Sequence, residues 1–192
     1  MENYSVLMSV YYKEQAENLR EAIDSILNQT VKTNEFIIVK DGPLTEKLDN
    51  TIKEYVEEYP GVFKIVTLKK NMGLAKALNK GIEQCSNEII ARMDSDDISM
   101  PDRMERQLEA MEANRADILS GTIVEFDESV DKPTAKRELP EKKEQIIEFA
   151  KKRSPFNHPA VMYKKSSVLK SGLYEDYTYF EDYNLWATML ND

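Results

Sequence analysis

Cysteine is almost missing: one residue, Cys85, stands in a chain of 192. A lone thiol excludes an intramolecular disulfide framework and a thiolate metal cluster, and it fits a reducing compartment such as the cytoplasm. Long apolar runs are missing too. None approaches the roughly 18 residues of a membrane span, and the opening MENYSVLMSVYYKE lacks the basic start and small-residue cleavage site of a signal peptide. There is no basic block either. With 26 Lys and Arg against 35 Asp and Glu the formal charge is -9, which argues against a nucleic-acid polymer as partner. Only six glycines occur, and no GxGxxG or GxxxxGK(S/T) string, so neither a dinucleotide fingerprint nor a P-loop is available to hold a nucleotide.

What remains is an ordinary globular composition, 41% hydrophobic, in a length that suits a single domain over residues 1–192. The apolar run YSVLMSV (Tyr4 to Val10) predicts a strand, and Ala16, Leu19, Ile23, Ile26 and Leu27 follow at helical spacing. The alternation recurs. EFIIV, FKIVTL and EIIARM read as strands, and Glu46 to Glu58 and Gly73 to Cys85 as helices, so an α/β fold with a parallel sheet covered on both faces is expected. Pro101 is suited to open a further helix with Met104, Leu108 and Met111 inward. ADILSGTIVEF reads as one more strand, HPAVMY as another, and YFEDYNLWATML as the start of a helix. Residues 128–145, ESVDKPTAKRELPEKKEQ, are highly charged and carry two prolines, the pattern of a mobile excursion. The chain stops at Asn191-Asp192 directly after an apolar helical pattern, which is the pattern of a C-terminally truncated domain.

The chemistry concentrates in ARMDSDDISMPDR, where Asp94, Asp96 and Asp97 follow an apolar strand. Ligands of open parallel sheets bind at the carboxyl ends of the strands. Two carboxylates in a turn there can hold a hard divalent cation and leave positions for phosphate oxygens, which would let an acidic protein bind a diphosphate. Asp97 or Ser99 is equally suited to cap the helix near Pro101. A calcium loop counted from Asp94 would need Gly at its sixth position, where Ser99 stands.

Taken in order, SVLMSVYYKEQAENLREAIDSILNQT, EFIIVKDGP, KKNMGLAKALNKGIEQCSNEIIARMDSDDISMPDR and YFEDYNLW resemble glycosyltransferase family 2. The resemblance implies the GT-A fold, a nucleotide-sugar donor, a divalent cation (Mn2+ or Mg2+) and inversion at the anomeric carbon. It divides the chain into a nucleotide-sugar-binding half (1–127), the charged segment (128–145) and an acceptor-side half (146–192). It implies that Ser9 and Tyr11 border the nucleobase and ribose, with packing of Tyr11 on the first helix as the alternative. Asp41 would meet the base, where Lys40 replaces the second acid of many members. Asn71, Gly73 and Asn79 would face the donor, and Lys76 either the diphosphate or solvent. By the DxD-type match Asp94 contacts the donor and Asp96 holds the metal. Asp182 would be the general base, helped by Glu181, with Trp186 either core or a sugar platform. His158, the only histidine, would lie near the metal and acceptor side. The implied acceptor is a hydroxyl of a glycan or of a lipid-linked saccharide at the inner face of the cell membrane, in cell-surface polysaccharide synthesis. Two rival classes stand beside this one. A sugar-phosphate nucleotidyltransferase would carry a Gly-rich loop after the first strand, and SVYYKEQAENL has none; a non-catalytic nucleotide-binding module would lack turnover.

Overall fold

A computed structural model describes residues 2–127 and 130–191. The chain runs β1 (Tyr4–Val10), α1 (Ala16–Leu27), β2 (Glu35–Lys40), α2 (Glu46–Glu58), β3 (Phe63–Thr67), α3 (Leu74–Gln84), β4 (Ile89–Met93) and α4 (Arg103–Asn114). It continues with β5 (Ile118–Ser120), β6 (Ile123–Phe126), β7 (Pro133–Arg137), α5 (Lys143–Ala150), β8 (Val161–Lys164), α6 (Lys165–Lys170) and α7 (Glu181–Asn191). The main sheet has the order β3-β2-β1-β4-β8-β5. Its first four strands are parallel, as the strand-helix alternation predicts, and β8 enters antiparallel between β4 and β5.

Alternation along each strand sends neighbouring side chains to opposite faces and builds two cores. Tyr4, Val6, Met8 and Val10 of β1 meet α1, α2 and α4, whereas Leu7 joins Ile37, Val39 and Ile90 under α3, α6 and α7. Both faces are therefore dry, and β1 reads as a continuous apolar run because it is central. Full burial of a side chain such as Leu7 or Ile38 is worth about 1.5–3 kcal/mol each. Gly81 lets α3 lie close on the sheet: a Cβ there would stand 2.2 Å from Leu7 Cδ1 and 2.9 Å from Val39 Cγ2. That close seat brings the start of α3 over the end of β2.

Three local expectations are corrected. The helix after Pro101 begins at Arg103, with Asp102 in the N-cap position and no side-chain capping bond, so neither Asp97 nor Ser99 caps it. ADILSGTIVEF is two strands rather than one. The break falls at Gly121, whose N–H donates to the Ala160 carbonyl (3.1 Å) and whose carbonyl accepts from Asn157 Nδ2 (2.9 Å). Lastly, residues 133–137 of the charged segment form β7, paired antiparallel with β6, while residues 128 and 129 lie outside the described residues. Among the described residues no helix is long and apolar enough to cross a membrane.

Candidate active site

Three adjacent strands, β2, β1 and β4, end side by side, and the chain leaves each through a loop that carries candidate residues. Ser9 is half-buried at the end of β1. Tyr11 is 43% exposed with its ring edge-on to Tyr12, so it stands outside the buried core. Asp41, just past β2, is 3% exposed. Its carboxylate accepts the backbone N–H groups of Met72 (2.7 Å) and Gly73 (3.1 Å), and Asn71 Nδ2 donates to its carbonyl (3.4 Å). Gly73 has φ +88°, where glycine alone is unstrained, and Gly42, also at +88°, sits against the backbone of Lys70 and Asn71. Asp41, Asn71 and Gly73 therefore form one loop-to-loop clamp ahead of α3.

The acidic turn is not a uniform cluster. Asp94 lies one residue past the end of β4, two after Arg92, and the buried Arg92 guanidinium grips it in a fork, Nη1 to Oδ2 at 2.7 Å and Nη2 to Oδ1. Ser95 turns inward and donates to Glu14 Oε2 (2.6 Å), tying the turn to the loop after β1. Asp96 faces solvent, and burial, Asp94 and Glu14 raise its carboxyl above the usual range. Asp97 is half-buried, and burial, with Asp94 and Asp96 adding, pushes it up to about 6. Beneath them Arg103 donates to Ser99 Oγ (2.9 Å), the Arg92 carbonyl (2.8 Å) and Gln107 Oε1 (3.0 Å).

Crowded carboxylates with raised pKa values are the donor set that a hard cation relieves. No group of three or more His, Cys, Asp and Glu side chains among the described residues is arranged to hold a metal ion unaided. A cation at Asp96 would thus draw its other ligands from water and from a ligand's oxygens, which is how Mg2+ commonly sits on phosphates.

Across the site, Asp182 and Glu181 open α7, where the helix dipole favours negative charge. Ser154 Oγ lies 3.2 Å from Asp182 Oδ2. Trp186 is fully buried against Phe156, His158, Tyr163 and Tyr174, which makes it core rather than a sugar platform. His158 Nε2 lies 3.1 Å from the Tyr174 hydroxyl, and burial together with the Arg92 charge lowers its pKa well below the usual value. Burial also raises the Tyr174 hydroxyl, and among the charges that act on it are Arg92, which lowers it, and Asp182 and Asp94, which raise it. Asn79 is a correction: its amide is committed to the Tyr174 backbone, donating to the carbonyl (2.8 Å) and accepting the N–H (3.0 Å), so it anchors that segment instead of facing a donor. Lys76 pairs with Asp176 at 2.7 Å on the surface.

Arg92, Tyr174 and Arg103 were not anticipated as site residues. A cation inside the apolar run EIIARM, two residues before Asp94, was a signal for Arg92; Tyr174 had none, because its partners His158 and Asn79 are distant in the chain.

A six-stranded, mostly parallel sheet with helices on both faces, whose inner strands β2, β1 and β4 end together, is the GT-A arrangement. A solved mannosyltransferase from Pyrobaculum calidifontis, in complex with GDP-Man and Mn2+, superposes over 98% of the chain and 52% of its own length, with a TM-score of 0.72 at 14% identity. Staphylococcus aureus TarS residues 1–349 in complex with UDP gives 0.67 over 97% of the chain and 54% of its own, at 16% identity. The family model for glycosyl transferase family 2 matches residues 5–178, and the chain belongs to that family. It is 42% identical over 189 residues to the amylovoran biosynthesis glycosyltransferase AmsE of Erwinia amylovora, covering 98% of the chain and 70% of that protein. It is 39% identical over 188 residues to an Escherichia coli UDP-Gal:alpha-D-GlcNAc-diphosphoundecaprenol beta-1,3-galactosyltransferase, covering 97% and 67%. The chain is thus a glycosyltransferase whose relatives serve polysaccharide and lipid-linked sugar synthesis.

Proposed function

We propose that this chain moves a sugar from a UDP-sugar to a hydroxyl of a saccharide acceptor, with inversion and with Asp182 as general base. The observation that supports the reading is the pair of hydrogen bonds that fasten Tyr174, in the segment ahead of α7 and Asp182, to Asn79 of α3, the helix that begins at the Asp41–Gly73 clamp. In this reading one carboxylate serves the donor and another the acceptor, as a displacement requires. The acceptor oxygen attacks the anomeric carbon, its proton passes to Asp182, and the bond to the diphosphate oxygen breaks on the far side. Asp182 is oriented for this by Ser154, and Glu181 beside it is the helper.

On the donor side the reading gives Asp41, Ser9, Tyr11, Asn71 and Gly73 to the nucleoside and Asp94 to the ribose or sugar. Asp96 would hold Mn2+ or Mg2+, which supplies positive charge to the departing diphosphate. His158 has its Nε2 3.1 Å from the Tyr174 hydroxyl, so in this reading any contact with the metal side would fall to its Nδ1. UDP is favoured as donor nucleotide by the name of the E. coli relative, and a lipid-linked acceptor by the same name. The exposed rings of Tyr177, Tyr179 and Phe180, directly ahead of Asp182, suit the apolar faces of a saccharide. Work on a lipid-carried acceptor would place the enzyme at the cytoplasmic membrane surface.

The test is release of UDP from a panel of UDP-sugars, with manganese and an acceptor present. Replacing Asp182 with Asn should lower turnover by roughly 10²–10⁴-fold and leave UDP affinity intact. Full turnover in that variant rules out Asp182 as the base.

A further inference from the structure

Arg92 has no part in the chemistry proposed above, yet it is a charged side chain only 1% exposed in a strand whose other members, Ile89, Ile90, Ala91 and Met93, are apolar. It lies opposite Leu7 in register with β1, on the face that carries the Trp186 ring cluster. Burying a guanidinium there costs stability, and an apolar side chain would pack the same space more cheaply. Among the described residues its Nε is buried without a partner, which adds to the cost. The only ion pair it forms among the described residues is with Asp94, whose side chain is 33% exposed where that of Arg92 is 2%. The fork therefore reaches from the dry interior to the wet edge of the site, and both Asp94 oxygens are held from below.

We infer that Arg92 is a positioning residue for donor binding: its buried fork fixes the Asp94 carboxylate in one orientation, so that the carboxylate meets the donor hydroxyls already ordered. This rests on the donor role given to Asp94 above. A planar guanidinium does what an ammonium cannot, because two parallel N–H bonds fix the plane of the carboxylate whereas a point charge leaves it free to turn. Asp94 thus has a cation dedicated to it.

A double-mutant cycle on the protein tests this, read by calorimetric titration with UDP in the presence of manganese and by thermal melting. Arg92→Met and Asp94→Asn should each weaken UDP about tenfold, which is ~1.4 kcal/mol. The double variant should bind within about twofold of Asp94→Asn alone, because Arg92 acts only through Asp94. Arg92→Lys, which retains the charge and loses the fork, should behave as Arg92→Met does, and it carries the cycle if the methionine variant does not fold. Losses that multiply to about a hundredfold in the double variant, or an unchanged UDP affinity in folded Arg92→Met or Arg92→Lys, overturn the inference and make Arg92 purely structural. A wild-type protein that does not bind UDP overturns the functional reading, and the inference with it; multiplying losses in a wild type that binds UDP overturn the inference alone.

Discussion

Asp41→Asn removes a charge without changing shape. In the wild type both carboxylate oxygens serve as acceptors, one for Met72 N–H at 2.7 Å and one for Gly73 N–H at 3.1 Å, in a site only 3% exposed. An amide offers one oxygen. One N–H keeps a neutral bond, and the other faces an NH2 group that cannot accept. A hydrogen bond to a charged group contributes about 1.5–3 kcal/mol and a neutral one about 0.5–1.5, so the change costs one charged bond and weakens the second. Met72 and Gly73 lie at the surface, where water recovers part of the loss, which leaves about 2–3 kcal/mol. For a chain of this size that is a fall in melting temperature of about 5–10 °C. Melting in the absence of nucleotide, followed by circular dichroism and repeated in urea to check that the m-value is unchanged, reads the structural effect alone. UDP titration on the same protein reads the site. A melting temperature within about 1 °C of wild type would falsify the clamp as a source of stability. Lost stability with unchanged UDP affinity would confine Asp41 to holding the loop.

Gly42→Ala should act on the same clamp from the other side. A Cβ there would stand 2.5 Å from Asn71 N and 2.8 Å from Lys70 C at φ +88°, so a loss of about 2–4 kcal/mol is expected by urea denaturation, with weaker UDP binding. Asp97→Asn addresses pH. Because the folded pKa of about 6 is above the ordinary 3.8, the protonated form is favoured by folding; the associated stability is full below about pH 4 and is lost as pH rises through 6. In metal-free protein the asparagine variant should therefore be more stable than wild type at pH 7, by about 2 kcal/mol after solvent screening is discounted, and the advantage should vanish near pH 4. Equal pH-stability curves for the two proteins would show that Asp97 is ionised at no cost.

The fold was legible where burial imposes a period. Strands β1, β2 and β4 declare themselves as apolar runs because both faces of the sheet are covered there, and helices α1 to α4 declare themselves as stripes because one face is. What failed was local chemistry overruled by distant partners. Pro101 suggested a helix start, but the Met100 and Pro101 carbonyls are taken by Gln29 Nε2 and Thr30 N–H across the molecule, and regular helix begins only at Arg103. ADILSGTIVEF was continuous in pattern, yet Asn157 and Ala160 pull Gly121 out of line. Nothing in the local sequence specifies that β8 should enter antiparallel beside β4.

The candidate site divides along the same line. Asp94 and Asp182 could be nominated because each sits in a motif of a few residues, and a short motif is readable without knowledge of the fold. Asn79 could not be assigned by motif, since what decides its role is a pair of hydrogen bonds to Tyr174, 95 residues away. Those bonds have a consequence beyond Asn79. They fasten the segment ahead of α7 to α3, and α3 begins at the Gly73 clamp on Asp41, so the element bearing the proposed base and the loop bearing the proposed nucleoside contacts are joined through one helix. Gly81 sets the distance between that helix and the sheet. The substitution Gly81→Ala pushes α3 outward from Leu7 and Val39, and it should shift both ends at once, weakening UDP binding and slowing transfer though it touches neither ligand. A Gly81→Ala enzyme that loses stability with both parameters unchanged would show that the two halves of the site are held independently of α3.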